Sequence, residues 1–316
     1  MTSVGAVFPG QGSQYVGMGR ELHAAYGEVR NIFEAAGDAL GEDVARLCFE
    51  GPSEALDATV NTQVAIFTMS VAAFAVLARE TGLNPVAMAG HSLGEYSALQ
   101  AAGAMEFTDA VKLVRARATH QQEAVPAGVG AMAAVMGLDA ETVERICRET
   151  AAEGFVVELA NMNSPNQNVI SGHHKAVETA LEKLKEAGGR RSVILPVSIP
   201  SHCSLMKGAA DRLKRDIETV GIGDCSVPVI PNCDPAQTHS ADRTIDFLTR
   251  QLYEPVRWQE TIERMTAAMG ISTIVEIGPK QVLSGLIRRI KGDIRVLHVE
   301  DAASLAETAA CLADRT

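Results

Sequence analysis

Along the chain, apolar runs of four or five residues alternate with stretches in which apolar side chains recur every three or four positions. Runs of the first kind have the length of strands buried on both faces, and the second kind reads as helices with one face in a core. Val4–Phe8 is such a run, closed by Pro9-Gly10-Gln11-Gly12-Ser13-Gln14, and helical spacing follows from about Met18 to Tyr26. The pattern predicts further helices over 28–40, in a short segment after Pro52, and over 62–81, where Gly82 and Pro85 stop it. Residues 86–89 form the next strand-like tetrad, and a helix-compatible run covers 97–102. Thr108 and Asp109 can cap a helix reaching about Glu123, with Val111, Val114 and Ala118 on one buried face.

From about Gly130 the texture changes. The pattern reads strand 131–136, helix 140–152, strand 155–160, turn 161–167, strand 169–171, helix 174–187 and strand 192–197. That order, β-α-β-β-α-β, is the ferredoxin-like arrangement, and Pro126-Ala127-Gly128 and the stretch from Pro196 to Pro200 flank it as hinges. Helix 204–219, strand 227–230, helices 243–253 and 258–269, strand 273–277, helix 281–290, strand 294–299 and helix 302–312 complete the chain. The expected class is α/β: a hydrolase-like core with a mainly parallel sheet, built from 1–128 and 198–316, carrying an inserted ferredoxin-like α+β subdomain at 129–197.

Composition narrows the function. With 316 residues, 47% of them hydrophobic, the chain can bury a large core. A formal charge of −11 argues against a nucleic-acid binder, whose affinity rests on a basic surface. The stretch 64–77 is interrupted by Thr68 and Ser70 and followed by Arg79 and Glu80, so it reads as a buried core helix and no membrane span is expected. No basic or long apolar segment precedes Pro9, which points to a cytoplasmic protein. Six cysteines lie scattered without a Cys-x-x-Cys pair, so they read as reduced thiols and indicate neither a disulfide framework nor a zinc site.

The chemistry centres on Gly90-His91-Ser92-Leu93-Gly94-Glu95-Tyr96, set between a strand and a helix. Small residues two before and two after a serine allow the sharp turn of a nucleophile elbow, which lifts the hydroxyl into the open. The backbone N–H of Leu93 would point into the same space and could stabilise an oxyanion. The glycine turn at 9–14 fails as a phosphate loop, because the third glycine of Gly-x-Gly-x-x-Gly would fall at Tyr15 and no Gly-Lys-Ser/Thr occurs. It remains either an anion or oxyanion site made of backbone N–H groups or a tight turn only. A serine needs a base. Among eight histidines, His202 sits in a loop before a helix, where it is either that base or a surface residue, and His91 adjoins the serine on a diverging path.

Phe8-Pro9-Gly10-Gln11-Gly12-Ser13-Gln14, the 90–96 motif, Glu123-Ala124-Val125-Pro126, Asn163-Ser164-Pro165 with Val169-Ile170-Ser171-Gly172, Pro200-Ser201-His202, Gln251-Leu252-Tyr253-Glu254-Pro255-Val256-Arg257-Trp258 and Glu276-Ile277-Gly278-Pro279 follow one another in this order. In these seven motifs, spread over nearly the whole chain, the protein resembles the malonyl-CoA:acyl carrier protein transacylases. The resemblance implies Ser92 as nucleophile, His202 as base, and the backbone carbonyl of Gln251 in place of an aspartate to orient it. It implies an oxyanion hole from the N–H groups of Gln11 and Leu93, and Arg117 as the partner of the malonyl carboxylate. Arg115 lies two residues away, and counting back from Glu123 favours Arg117. Asn163 and His91 are candidates for lining the cleft, although a turn-forming Asn before Ser-Pro accounts for Asn163 equally well. Cys203 reads as a packed small residue.

The implied reaction is a ping-pong acyl transfer that needs no metal or redox cofactor, its substrates being a coenzyme A thioester and holo acyl carrier protein. A monomer is expected. The acidic carrier would meet a local basic patch, either Lys183, Lys185, Arg190 and Arg191 or Arg288, Arg289 and Lys291. Two other readings stand beside this one: a discrete acyltransferase serving a polyketide synthase, which would share every motif, and a serine thioesterase or esterase. The lack of an acid partner for the histidine and the presence of Arg117 speak against the hydrolase.

Overall fold

The computed structural model describes residues 3–126, 128–151, 154–197 and 199–313. Nine strands occur among them: β1 (Val4–Phe8), β2 (Ala87–Gly90), β3 (Gly130–Met136), β4 (Val157–Ser164), β5 (Gln167–His173), β6 (Arg190–Ile194), β7 (Val229–Ile230), β8 (Thr273–Ile277) and β9 (Arg295–Val299). They form two sheets. The first, in the order β7-β2-β1-β8-β9, is parallel throughout.

β1 lies at its centre and every residue of it is buried, which is why the sequence there is an unbroken apolar run. Alternate side chains serve opposite faces: Val4, Ala6 and Phe8 join a core with helix Thr59–Thr81, and Val7 joins Ala87, Ala89 and Trp258 on the other side. That helix is long and apolar enough to cross a membrane, yet 78% of its apolar window is buried inside the fold, as expected of a core helix.

The second sheet, in the order β4-β5-β3-β6, is antiparallel. Helices Ala140–Thr150 and His174–Glu186 cover one face through Val143, Ile146, Ala180 and Leu184, which gives the β-α-β-β-α-β arrangement the pattern predicts. The other face presents Met132, Ala160 and Val169.

Two seams join the sheets. Val256 N–H donates to Ala160 O and Met162 N–H donates to Val256 O, both at 2.9 Å, so β4 carries a short parallel bridge to the segment after Gln251. The Glu158 carboxylate accepts from the Ser204 amide and hydroxyl at 2.7 Å, two residues beyond His202.

Four local expectations are corrected. Helix Phe107–Gln122 starts one residue before Thr108, so Thr108 and Asp109 sit inside its first turn and Glu106 takes the cap position without a side-chain bond. Helix Val44–Glu50 lies in a stretch where the pattern predicts none; it is a short element capped by Asp43, whose Oδ1 accepts from the Arg46 N–H. The expected turn at 161–167 is mostly strand, because β4 and β5 stay paired up to Ser164 and Gln167, which shortens the turn to Pro165 and Asn166, and Val256 bridges β4 from its other side at Asn161. The expected helix 258–269 changes after Glu263 to a π-turn over Arg264–Ala268. Ala127 and Ser198 at the expected hinges, Ala152 at the end of the predicted helix, and the chain ends 1–2 and 314–316 lie outside the described residues.

Candidate active site

β2 ends at Gly90 and helix Gly94–Ala101 begins four residues later, so the chain reverses within His91, Ser92 and Leu93. Ser92 adopts φ 52°, a left-handed conformation that L-residues hold only when the surroundings fix it. Asn232 does part of that fixing: its Nδ2 donates to Gly90 O at 2.6 Å and its Oδ1 accepts from Ser92 N–H at 2.7 Å. The two motif glycines are where the chain crosses itself. A Cβ on Gly90 would lie 1.8 Å from the Gly94 carbonyl carbon, and one on Gly94 would lie 2.0 Å from Phe8 O.

A Cβ on Gly10 would meet His91 O at 2.4 Å, so the 9–14 turn presses against the elbow and brings Gln11 beside Leu93. Among the described residues neither of their backbone N–H groups is taken by a hydrogen bond, and both residues line the cavity above Ser92. Two free N–H groups beside a serine hydroxyl can hold an oxyanion.

His202 reaches the serine from the far side, with its Nε2 2.8 Å from Ser92 Oγ. Its Nδ1 lies 2.7 Å from Gln251 O. A carbonyl only accepts, so Nδ1 carries the proton and Nε2 is left to accept the serine's. The ring is 3% exposed. Burial, and then the charge of Arg117, pull its pKa down to about 3, so in this resting site the imidazole is neutral, with Nε2 unprotonated and facing Ser92.

Arg117 projects from helix Phe107–Gln122 with 1% exposure. Its Nη2 donates to Ser92 Oγ and to Gln251 Oε1, each at 3.0 Å, and its Nη1 donates to Gln63 Oε1 at 2.6 Å and Gln121 Oε1 at 3.0 Å. The Tyr96 ring lies beneath the guanidinium, 5.4 Å away. Among the described residues no carboxylate hydrogen-bonds to it and its Nε has no partner. Burial holds its pKa below the ordinary value. Arg115 turns outward and pairs with Glu42, which leaves one arginine of the two at the serine.

These groups open on a cavity of about 220 Å³ walled on one side by Met132, Val169 and Leu195 and on the other by Val282, Leu283 and Leu286. His91 diverges from the serine and its Nε2 hydrogen-bonds Asn163 Oδ1 at 2.8 Å; both residues line the cavity, and Asn163 does so from a strand. Cys203 is buried with its Sγ 3.1 Å from Pro200 O, and burial pushes the thiol's pKa up to about 12. Among the described residues no group of three His, Cys, Asp or Glu side chains is placed to hold a metal ion.

The sequence reading missed Gln63, Gln121, Asn232 and the buried pair Glu95 and His239. Glu95 lies inside the 90–96 motif and could have been questioned as an acidic residue in an apolar helix; the others carry no local signal.

The acyl transferase domain family matches residues 6–307. The malonyl CoA-acyl carrier protein transacylase of Escherichia coli (strain K12) is 47% identical over 306 residues, covering 97% of this chain and 98% of its own. The solved structure of the Coxiella burnetii malonyl CoA-acyl carrier protein transacylase superposes with a TM-score of 0.95 at 44% identity, covering 98% of each chain. A malonyl-transacylase solved in complex with a type II polyketide synthase acyl-carrier protein gives the same score and identity over 98% of this chain and all of its own. With the match spanning nearly the whole chain and relatives close to half identical, the chain belongs to the acyl transferase family.

Proposed function

We propose that this chain transfers a malonyl group from malonyl-CoA to the phosphopantetheine thiol of an acyl carrier protein, supplying fatty acid synthesis. The observation that carries the reading is Arg117: a buried guanidinium 3.0 Å from Ser92 Oγ, hydrogen-bonded among the described residues only to neutral groups. A planar two-donor fork at the floor of a small cavity selects an acyl group that brings its own carboxylate.

In the proposed reaction Ser92 Oγ attacks the thioester carbonyl while His202 Nε2 takes the hydroxyl proton. The oxyanion rests on the N–H groups of Gln11 and Leu93. The C–S bond breaks, His202 returns the proton to the departing coenzyme A sulfur, and malonyl-Ser92 remains. The carrier thiol then attacks the ester, giving its proton to His202, which passes it to Ser92 Oγ as the C–O bond breaks. No metal or redox group enters, since a thioester is already activated. The substrate carboxylate would draw Arg117 Nη2 away from Ser92 Oγ, freeing the hydroxyl as the acyl group arrives.

We further propose that 1–128 and 198–316 act as one catalytic unit and 129–197 as an inserted subdomain, and that the enzyme works in the cytoplasm as a monomer. Arg190 and Arg191 from one basic cluster and Arg289 from the other line a single groove, and Gln167 belongs to both that groove and the cavity. A path lined by three arginines and ending at Ser92 suits an acidic carrier and the phosphates of its prosthetic arm.

Intact-protein mass spectrometry after mixing with malonyl-CoA, then with holo acyl carrier protein, tests the reading. A malonyl adduct that Ser92→Ala lacks and that passes to the carrier is expected; acetyl-CoA labelling equally well would overturn the substrate assignment. The relative solved with a polyketide carrier supports a second reading, a polyketide supply role. Carriers from both pathways in the second step distinguish the two.

A further inference from the structure

Among the described residues no acidic side chain bonds to the His202 ring, yet a buried carboxylate stands one residue away. Glu95, in the first turn of helix Gly94–Ala101, is fully buried. Its Oε2 accepts from the Asn232 backbone N–H and from the Gln251 side-chain amide, both at 2.9 Å, and its Oε1 lies 2.9 Å from His239 Nε2. Gln251 Nε2 also donates to Ser92 O at 2.9 Å, and its Oε1 accepts from Arg117 at 3.0 Å. One carboxamide therefore lies between a buried anion and a buried cation, its N–H side toward the carboxylate and its C=O side toward the guanidinium. Its dipole is aligned with both charges.

Gln251 is also the last residue of helix Thr244–Gln251. Carbonyls at a helix end have no intrahelical partner, so their direction is set by whatever holds the residue. Here the backbone oxygen in question is the one that receives His202 Nδ1. We propose that Glu95 is a positioning residue for acyl transfer: by anchoring the Gln251 side chain it aims the Gln251 carbonyl that keeps His202 in the tautomer able to accept from Ser92. The acid of the serine machinery is present, displaced by one residue and acting through a carboxamide. This inference rests on the reading of Ser92 and His202 as nucleophile and base.

The test uses Glu95→Ala, Glu95→Gln, Gln251→Met and the Glu95→Ala/Gln251→Met pair, with folding checked by circular dichroism. Rapid-quench acylation of Ser92 is measured with malonyl-CoA at and below saturation, and with p-nitrophenyl acetate, which has no carboxylate for Arg117. Gln251→Met keeps the backbone carbonyl and removes the side-chain bonds to Glu95, Ser92 O and Arg117, so the double variant with Glu95→Ala separates the Glu95 link from the other two. Glu95→Ala and Gln251→Met should each slow saturated acylation roughly 100-fold with both reagents, as expected when a reacting group is misplaced. The half-saturating malonyl-CoA concentration should change less than about threefold, the pair should lose no more than either single variant, and Glu95→Gln should stay within about tenfold of the parent. Multiplying losses in the pair, a loss confined to malonyl-CoA, or a parent-like rate for Gln251→Met would each overturn the proposal. The last decides it even if Glu95→Ala does not fold. If the parent itself reacts with the ester and not with malonyl-CoA, the substrate reading fails, and the ester rates still decide the role of Glu95.

Discussion

A guanidinium buried without a hydrogen-bonded carboxylate stays charged only because its neighbours are arranged around it, and in Arg117 three carboxamides and a tyrosine ring supply that arrangement. Arg117→Ala would leave the malonyl carboxylate unpaired in the cavity, a cost of about 3–5 kcal/mol. Acylation by malonyl-CoA should fall roughly 10²- to 10⁴-fold while acylation by acetyl-CoA changes less than about threefold, measured as single-turnover rates. Equal losses would count against the carboxylate role. The same substitution bears on pH. Because burial and Arg117 lower the His202 pKa to about 3, the imidazole is neutral at about pH 5 and above, and the acid limb of acylation should lie well below the ordinary histidine value of 6.5. Removing the Arg117 charge should move that limb upward in an acetyl-CoA pH–rate profile; an unmoved limb would show that burial alone sets it. The sign for folding is the same: a histidine with a lowered folded pKa contributes stability above pH 6.5 and loses it as pH falls toward 3. Ser92 and its flanking glycines were legible in the sequence because a local pattern carries them. Gln63, Asn232 and His239 were not, since the site residues they bond lie 54, 140 and 144 positions away and polar side chains in a core leave no periodic trace.

Elements show the same divide between local and distant causes. β1 and helix Thr59–Thr81 follow from apolar runs, whereas β4, which pairs with β5 as far as Ser164, also takes a bridge from Val256 at Asn161, and no window around Asn161 contains that second partner. The elbow is the sharpest case of an element made by backbone crossing. Gly94→Ala would drive a Cβ into Phe8 O, which belongs to the central strand, so neither partner can yield. It should destabilise the fold by at least about 3 kcal/mol and abolish Ser92 acylation, read by urea denaturation and mass spectrometry. Gly285 gives the opposite sign. It lies within helix Val282–Ile290, and a Cβ there meets nothing within 4 Å. Gly285→Ala should raise stability by about 0.5–1 kcal/mol, and a lowered urea midpoint would refute the reading of open space.

At the scale of the whole molecule, the net charge of −11 and the arginine groove pull in opposite directions on an acidic carrier. Pairing the two reverses the balance locally. Arg190→Glu with Arg289→Glu should raise the carrier KM roughly tenfold at low salt and flatten its rise with ionic strength, with the kcat for transfer little changed. A salt profile parallel to the parent's would place docking elsewhere. Fold class was legible because three alternations, one on each side of the insertion and one within it, survive in the pattern. What the pattern could not supply is how the sheets meet, through the Val256 bridge and the Glu158 contact with Ser204. That meeting has an evolutionary consequence. Since the cavity's walls descend from separate hydrophobic clusters, Leu283 and Leu286 from one and Met132 and Val169 from another, its width is set by a seam and not by Ser92 and His202. A lineage under selection for bulkier acyl groups can leave Ser92 and His202 untouched and drift at Ala160, Val256 and Glu158 instead, exploring new substrates through residues that no assay of the chemistry would single out.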